Sequence, residues 1–294
     1  MTTILKEQAI KYDYFDISKY LDNVVISSDN LNRAFYTLKE YNEYVSKFKK
    51  YDQDAFGLLL VKAFYNELRD SNRIEDHIIY PEEVLNGDYN IDDFNISHTR
   101  IKQLHSFSER GTGEYDYRKI DAWVRLLQND KETIFWYGAK PCDIEKFMDD
   151  YINLYKSDLY DDNMFLKCIL LHLTLMRIHP FKDGNGRTIR LLTDMKFTEL
   201  TNRLFNTNLA IAPLHLSNSL YRNKARYNSI IDSIYFDMDH DSNKEINNFI
   251  KFMLDMYDEQ IFYMNSLLDR SKISLLNSIA NDNLGNAKVL KKWL

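Results

Sequence analysis

Apolar residues recur at helical rather than strand spacing along most of the chain. From Ala55 to Glu75 the run AFGLLLVKAFYNELRDSNRIE places Leu58, Val61, Phe64, Tyr65 and Leu68 on one face, the i, i+3, i+4 pattern of an amphipathic helix. The same spacing predicts helices over Asp143–Tyr155, Met164–Ile178, Gly186–Leu204, Asn218–Tyr235 and Ser242–Leu268, the last with Ser242 as N-cap. One or two peripheral helices are expected around Leu31–Phe48 in an otherwise polar, Asn/Tyr-rich start. Asp76–Asp93 is acidic and irregular, with Pro81 opening a short helix, and Gly111 and Gly113 mark a loop. Thr133–Gly138 is β-branched and aromatic and ends at a glycine, which predicts a short strand or hairpin. In the tail, Leu275, Ile279, Val289 and Leu290 are spaced to dock a final helix.

Composition agrees with a helical globule. Only 8 Gly and 4 Pro punctuate 294 residues, while 45% are hydrophobic and 28% charged. The predicted class is all-α, with one short β-hairpin. A net charge of −6 gives no general footprint for nucleic acid. Cys142 and Cys168 fall in no metal-ligand spacing, which suits a reducing compartment. The first residues lack a basic segment followed by an apolar one, and Met164–Ile178 is interrupted by Lys167, His172 and Arg177. A soluble cytoplasmic protein with no membrane association is therefore expected.

Candidate chemistry concentrates in the segment from Ile178 to Arg190, IHPFKDGNGRTIR, which lies between two strong helical patterns. An apolar helix delivers His179 into a tight loop, and the next helix opens at Asn185 or Gly186. A helix N-terminus offers free N–H groups and the positive end of the helix dipole, a ready phosphate site. Gly184 and Gly186 allow close backbone approach, and Arg187 and Arg190, spaced i, i+3, add charge-assisted bonds suited to a polyphosphate. Asp183 is a hard oxygen ligand beside those phosphates, as Mg²⁺ requires. His179 titrates in a range useful to a general base. Phe181 is expected to anchor the loop inward and Lys182 to be solvated.

This segment resembles the signature of the Fic family, HPFx(D/E)GNGRxxR, at every specified position. The resemblance extends more weakly over Leu58–Tyr235, with Ile134–Gly138 placed like the family's target-positioning flap and Leu214–Tyr227 like its post-motif helix. It implies a Fic-type helical bundle and transfer of AMP from ATP, with Mg²⁺, to a Ser, Thr or Tyr hydroxyl of a protein target, self-modification included. His179 would deprotonate the hydroxyl and Asp183 would hold Mg²⁺ against the α- and β-phosphates. Gly184, Asn185 and Gly186 would form the anion hole. Arg187 would face the β-phosphate and Arg190 the γ-phosphate. Asn223 and Tyr227 match positions that approach adenine in relatives, with helix packing as the alternative role. Trp136 and Tyr137 would line the target channel or pack the flap.

Upstream, Ser71-Asn72-Arg73-Ile74-Glu75-Asp76 resembles the family's inhibitory motif (S/T)xxxE(G/N), departing from it at Asp76. The resemblance implies that Glu75 pairs with Arg190 and blocks productive ATP binding. The division it suggests is an N-terminal helical region (1–53), a Fic core with the inhibitory helix at about 55–75 (54–240), and a C-terminal helical extension (241–294). Three rival readings remain: removal of AMP through Glu75, phosphate transfer with ATP reversed as in Doc toxins, and a nucleotide-sensing or DNA-binding regulator. A homodimer that secures the inhibited state is a further expectation. The other histidines, His77, His98, His105, His172, His215 and His240, are read as structural.

Overall fold

The computed structural model describes residues 28–51, 53–78, 94–108, 116–128, 131–136, 138–159, 161, 163–206, 215–236 and 242–280. Expectations for the N-terminal 27 residues, the Pro81 helix, the Gly111 and Gly113 loop, Tyr137, His240, Val289 and Leu290 lie outside them. So do the side chains of Trp136, Leu275 and Ile279.

Two helices form the centre. Met164–Ile178 (hereafter α5) coincides with the run predicted from sequence, and all but one of its residues are buried, as a helix apolar all round demands. Asn163 caps it, its side chain accepting from the backbone of Leu166 at 3.1 Å. Residues 179–184 then turn the chain into Asn185–Phe205 (α6), which packs along α5. Three buried threonines of the pair return their hydroxyls to carbonyls one turn back: Thr174 to Leu170, Thr193 to Ile189 and Thr198 to Asp194. These three hydroxyls thus enter the core with their donors satisfied.

Around this pair the chain places Ser28–Tyr51 (α1), Gln53–Ile74 (α2), His98–Ser108 (α3), Ile144–Lys156 (α4), Ser217–Arg222 (α7), Lys224–Phe236 (α8) and Ser242–Ala280 (α9). Helices α2 and α3 lean on α6, α4 on α5, and α9 runs past α1, α5, α7 and α8. Phe165, Phe197 and Tyr257 lock α5, α6 and α9 together with ring centroids 5.2–5.8 Å apart. Each such buried side chain contributes about 1.5–3 kcal/mol. Strands Trp123–Gln128 (β1) and Lys131–Trp136 (β2) pair antiparallel, Trp123 opposite Trp136.

Three elements differ from expectation. The helix predicted over Asn218–Tyr235 is two helices, parted at Asn223, whose side-chain amide turns back to the carbonyl of Ser219. Helix α3 carries no strong amphipathic stripe, because it buries polar as well as apolar residues: His105, Ser106 and Ser108 beside Ile101 and Leu104. The last helix runs unbroken to Ala280, where the sequence suggests an end at Leu268.

Candidate active site

His179 is the C-cap of α5, with φ 50° and ψ 60°, and its N–H closes on the carbonyl of Leu175 at 3.0 Å. A non-glycine residue in this left-handed region costs about 1–2 kcal/mol. The turn is held from outside. Arg118 donates from Nε to the carbonyl of His179 at 2.7 Å, and its backbone N–H to that of Pro180 at 2.9 Å. Burial, assisted by the Arg118 charge, pushes the His179 imidazole down to about 3, so it is neutral near pH 7.

The loop is pinned from within. Phe181 is buried and stacks on His105, centroids 3.7 Å apart, while Tyr117 closes its other side at 5.5 Å. His105 in turn meets the hydroxyl of Thr188 at 3.1 Å, and burial lowers its pKa to about 4. The Asn185 side chain spans the loop, accepting from Phe181 N–H at 2.9 Å and donating to Phe181 O at 2.7 Å. Gly184, at φ 69°, takes the N-cap position of α6. The first-turn N–H groups of Asn185, Gly186 and Arg187 precede any intrahelical acceptor, the usual condition of a helix start. Lys182 is exposed, and the Asp183 side chain is 83% exposed at the rim, with Oδ1 accepting from Gly184 N–H at 2.7 Å.

Glu75 reaches this helix start from α2. Its Oε1 lies 2.6 Å from Arg190 Nη2 and its Oε2 lies 3.0 Å from Arg187 Nε. Both motif arginines therefore hold the one carboxylate, where the sequence suggested Arg190 alone. Arg190, 3% exposed, also donates from Nε to the Ser71 hydroxyl at 2.8 Å and from Nη2 to the Ser71 carbonyl at 2.9 Å. Asp76 takes φ 60°, a left-handed conformation that short polar side chains tolerate, and reaches Lys224 at 2.6 Å. The departure from Gly or Asn at that position is thus absorbed by the backbone.

Beneath Arg190, Tyr227 is buried, with its hydroxyl 3.0 Å from His172 Nε2. His172 Nδ1 meets Thr193 at 3.1 Å, and burial lowers its pKa to about 3. In this arrangement the Tyr227 ring is packed among the helices below Arg190. Asn223 stands at the break between α7 and α8, 3.2 Å from Glu259.

Several residues that build the site were not singled out from sequence. Glu67 is buried on α2 and accepts from Ser217 N–H at 3.0 Å and from the Ser217 hydroxyl. Asp194 of α6 lies beside it, and burial raises both carboxyls above their usual range. Asp70 accepts from Asn218 at 2.8 Å. These contacts dock α2 on α6 and α7. Their signal was a four-residue repeat, Glu67, Ser71 and Glu75 on one helix against Asp194, Arg190 and Gly186 on the other, which matches two antiparallel helices stripe to stripe. Arg118 left no such periodicity.

Fold and site together define an α-helical domain in which the 179–184 turn and the start of α6 are enclosed by α2, α3 and Arg118. Residues 95–195 match the model of the Fic/DOC family, so the chain carries a domain of that family. Its fold is shared with a Fic family protein from Desulfovibrio desulfuricans G20 (16% identity, TM-score 0.54), covering 83% of this chain and 76% of that one. It is also shared with a Fic domain containing signaling protein from Bacteroides thetaiotaomicron VPI-5482 (15% identity, TM-score 0.52), covering 79% and 97%. Fic-1 from C. elegans is similar at 12% identity and a TM-score of 0.53, covering 81% and 73%. No curated protein sequence matches the chain significantly. Among the described residues no helix is long and apolar enough to cross a membrane.

Proposed function

We propose that this chain is a protein adenylyltransferase that moves AMP from ATP to a hydroxyl side chain and is restrained by Glu75. The observation that carries the reading is the seat of Glu75, whose carboxylate lies on Arg187 and Arg190 at the start of α6. A group that an acid can occupy there is one that a phosphate can occupy, and the two exclude each other by like charge. In this reading the N–H groups of the 184–186 turn receive the α- and β-phosphates, Arg187 the leaving pyrophosphate and Arg190 the γ-phosphate.

The proton balance follows. A Ser, Thr or Tyr hydroxyl of the target, or of the chain itself, gives its proton to the neutral imidazole of His179. The new oxygen–phosphorus bond forms in line as the bond from the α-phosphorus to its bridging oxygen breaks, and pyrophosphate departs. Positioning and fixed positive charge supply most of the acceleration. Asp183 fits a Mg²⁺ role, being a single exposed carboxylate beside the phosphate cradle, and Mg²⁺ takes one or two carboxylates together with phosphate oxygens and water. The ion would neutralise phosphate charge. The β1–β2 hairpin, with Trp136 and Tyr137, would align the target segment.

The test is incubation of wild type, Glu75→Gly and Glu75→Gly/His179→Ala with Mg²⁺ and ATP labelled at the α- or γ-phosphate. Label from the α-position alone, strongest in Glu75→Gly and lost without His179, is the expected result. Transfer of γ-label would mean phosphate transfer instead. Absence of label in Glu75→Gly would overturn the proposal and leave removal of AMP or nucleotide sensing.

A further inference from the structure

A buried arginine outside the motif ties the catalytic turn to both ends of the hairpin. Arg118 is 2% exposed and precedes β1, and its guanidinium is consumed by backbone carbonyls. Nη1 donates to Ile120 at 2.8 Å, Nε to His179 at 2.7 Å, and Nη2 to Ala139, which follows β2. Two backbone bonds complete the junction: Arg118 N–H to Pro180 O and Ala139 N–H to Ile178 O, both at 2.9 Å. The fit is close. Gly138 sits at φ 105°, and a Cβ there would lie 2.8 Å from Arg118 Nη2 and 2.9 Å from the Cβ of His179. Every one of these acceptors belongs either to the His179 turn or to a hairpin end.

We propose that Arg118 is a positioning residue for AMP transfer, holding the left-handed turn of His179 in register with the hairpin so that the imidazole and a target hydroxyl presented along β2 meet at a fixed place. The inference rests on the adenylyltransferase reading for its activity readout. A planar guanidinium serves three carbonyls in fixed directions at once, whereas an ammonium is a point donor that cannot reproduce that fork. Because Arg118 donates to the carbonyl of His179 and not to the nucleotide cradle, it acts on the base and leaves the phosphate contacts intact. Its charge also helps to keep the imidazole neutral, second to burial.

The test compares Arg118→Lys and Arg118→Ala in the Glu75→Gly background. Single-turnover transfer of α-label, ATP affinity and the NMR titration of the His179 ring are measured for each. The expected result is ATP affinity within about twofold of the parent, with transfer slowed at least tenfold in the lysine variant and further in the alanine variant. The His179 pKa rises in Arg118→Ala, and adding Arg118→Ala to His179→Ala costs no further rate. The lysine variant keeps the charge and the stem, so it answers the question should Arg118→Ala fail to fold. Unchanged transfer with an unchanged His179 titration would overturn the proposal, as would a loss of ATP affinity as large as the loss of rate. If the Glu75→Gly parent transfers no AMP, the adenylyltransferase reading has failed by itself, and the titration still decides whether Arg118 governs the His179 turn.

Discussion

A Cβ placed on Gly186 would lie 2.3 Å from Oε1 of Glu75, so the carboxylate of α2 rests in the space that this glycine leaves at the start of α6. The second glycine of the motif therefore makes room for the Glu75 carboxylate. A stability cycle reads this directly. Alanine normally exceeds glycine in a helix by about 0.5–1 kcal/mol. A Cβ there also meets Arg190 Nη1 at 2.9 Å, so Gly186→Ala should cost clearly less in the Glu75→Gly protein than in the protein that keeps Glu75. Equal effects in the two backgrounds, measured by urea unfolding, would show that the carboxylate does not occupy the notch.

Ser71 holds Arg190 through its hydroxyl, and hydrogen bonds to charged groups contribute about 1.5–3 kcal/mol. Ser71→Ala should lower the melting temperature by several degrees. It should also release the restraint in part, raising self-modification above wild type and below Glu75→Gly. Calorimetry and α-label transfer on the same preparations check both, and a melting temperature unchanged within 1 °C, about a quarter to a half of the shift expected per kcal/mol, would contradict the contact's importance.

The buried histidines and the acid pair make stability depend on pH in opposite senses. His105, His172 and His179 have folded pKa values of about 4, 3 and 3, below the ordinary 6.5, so the unfolded chain binds more protons as pH falls below 6.5. Stability from these groups is complete above that value and declines toward pH 4. Each contributes at most about 1.4 kcal/mol per pH unit. His172→Gln should flatten the acid limb of melting temperature against pH.

The Glu67–Asp194 pair behaves the other way, since its folded pKa values are raised and the folded chain keeps a proton that the unfolded chain has lost. Its contribution declines as pH rises above the unfolded carboxylate range. Asp194→Asn removes one ionisable carboxyl and should gain on wild type as pH rises above the unfolded carboxylate range. An identical pH profile for the two proteins would place the proton elsewhere.

Much of this site was legible because its chemistry is contiguous. The tight turn after His179, the two arginines that follow it and the inward Phe181 follow from thirteen consecutive residues, and the helices on either side follow from unbroken apolar spacing. Met164–Ile178 was readable to the residue because an apolar helix ends where His179 and Pro180 interrupt it. The Glu75 contact needed the family resemblance to direct it, since an acid at the end of an amphipathic helix is ordinarily solvated. What stayed hidden depends on long-range backbone contacts. Arg118 grips carbonyls, which no side-chain pattern betrays, and α3 buries polar residues whose partners, such as Thr188, lie some 80 positions away. The break at Asn223 is likewise a side-chain-to-backbone event that helical periodicity does not register.

Competition between Glu75 and the terminal phosphate for Arg187 and Arg190 is read out by titration calorimetry of ATP with Mg²⁺. Two like charges about 4 Å apart repel by about 1 kcal/mol in water and about 4 kcal/mol near a protein surface. Glu75→Gly should therefore bind ATP at least about tenfold more tightly than wild type, and Glu75→Gly/Arg190→Ala should lose that gain while ADP distinguishes the variants less. Equal ATP affinity in wild type and Glu75→Gly would contradict the account, because the carboxylate would then not stand where the nucleotide binds.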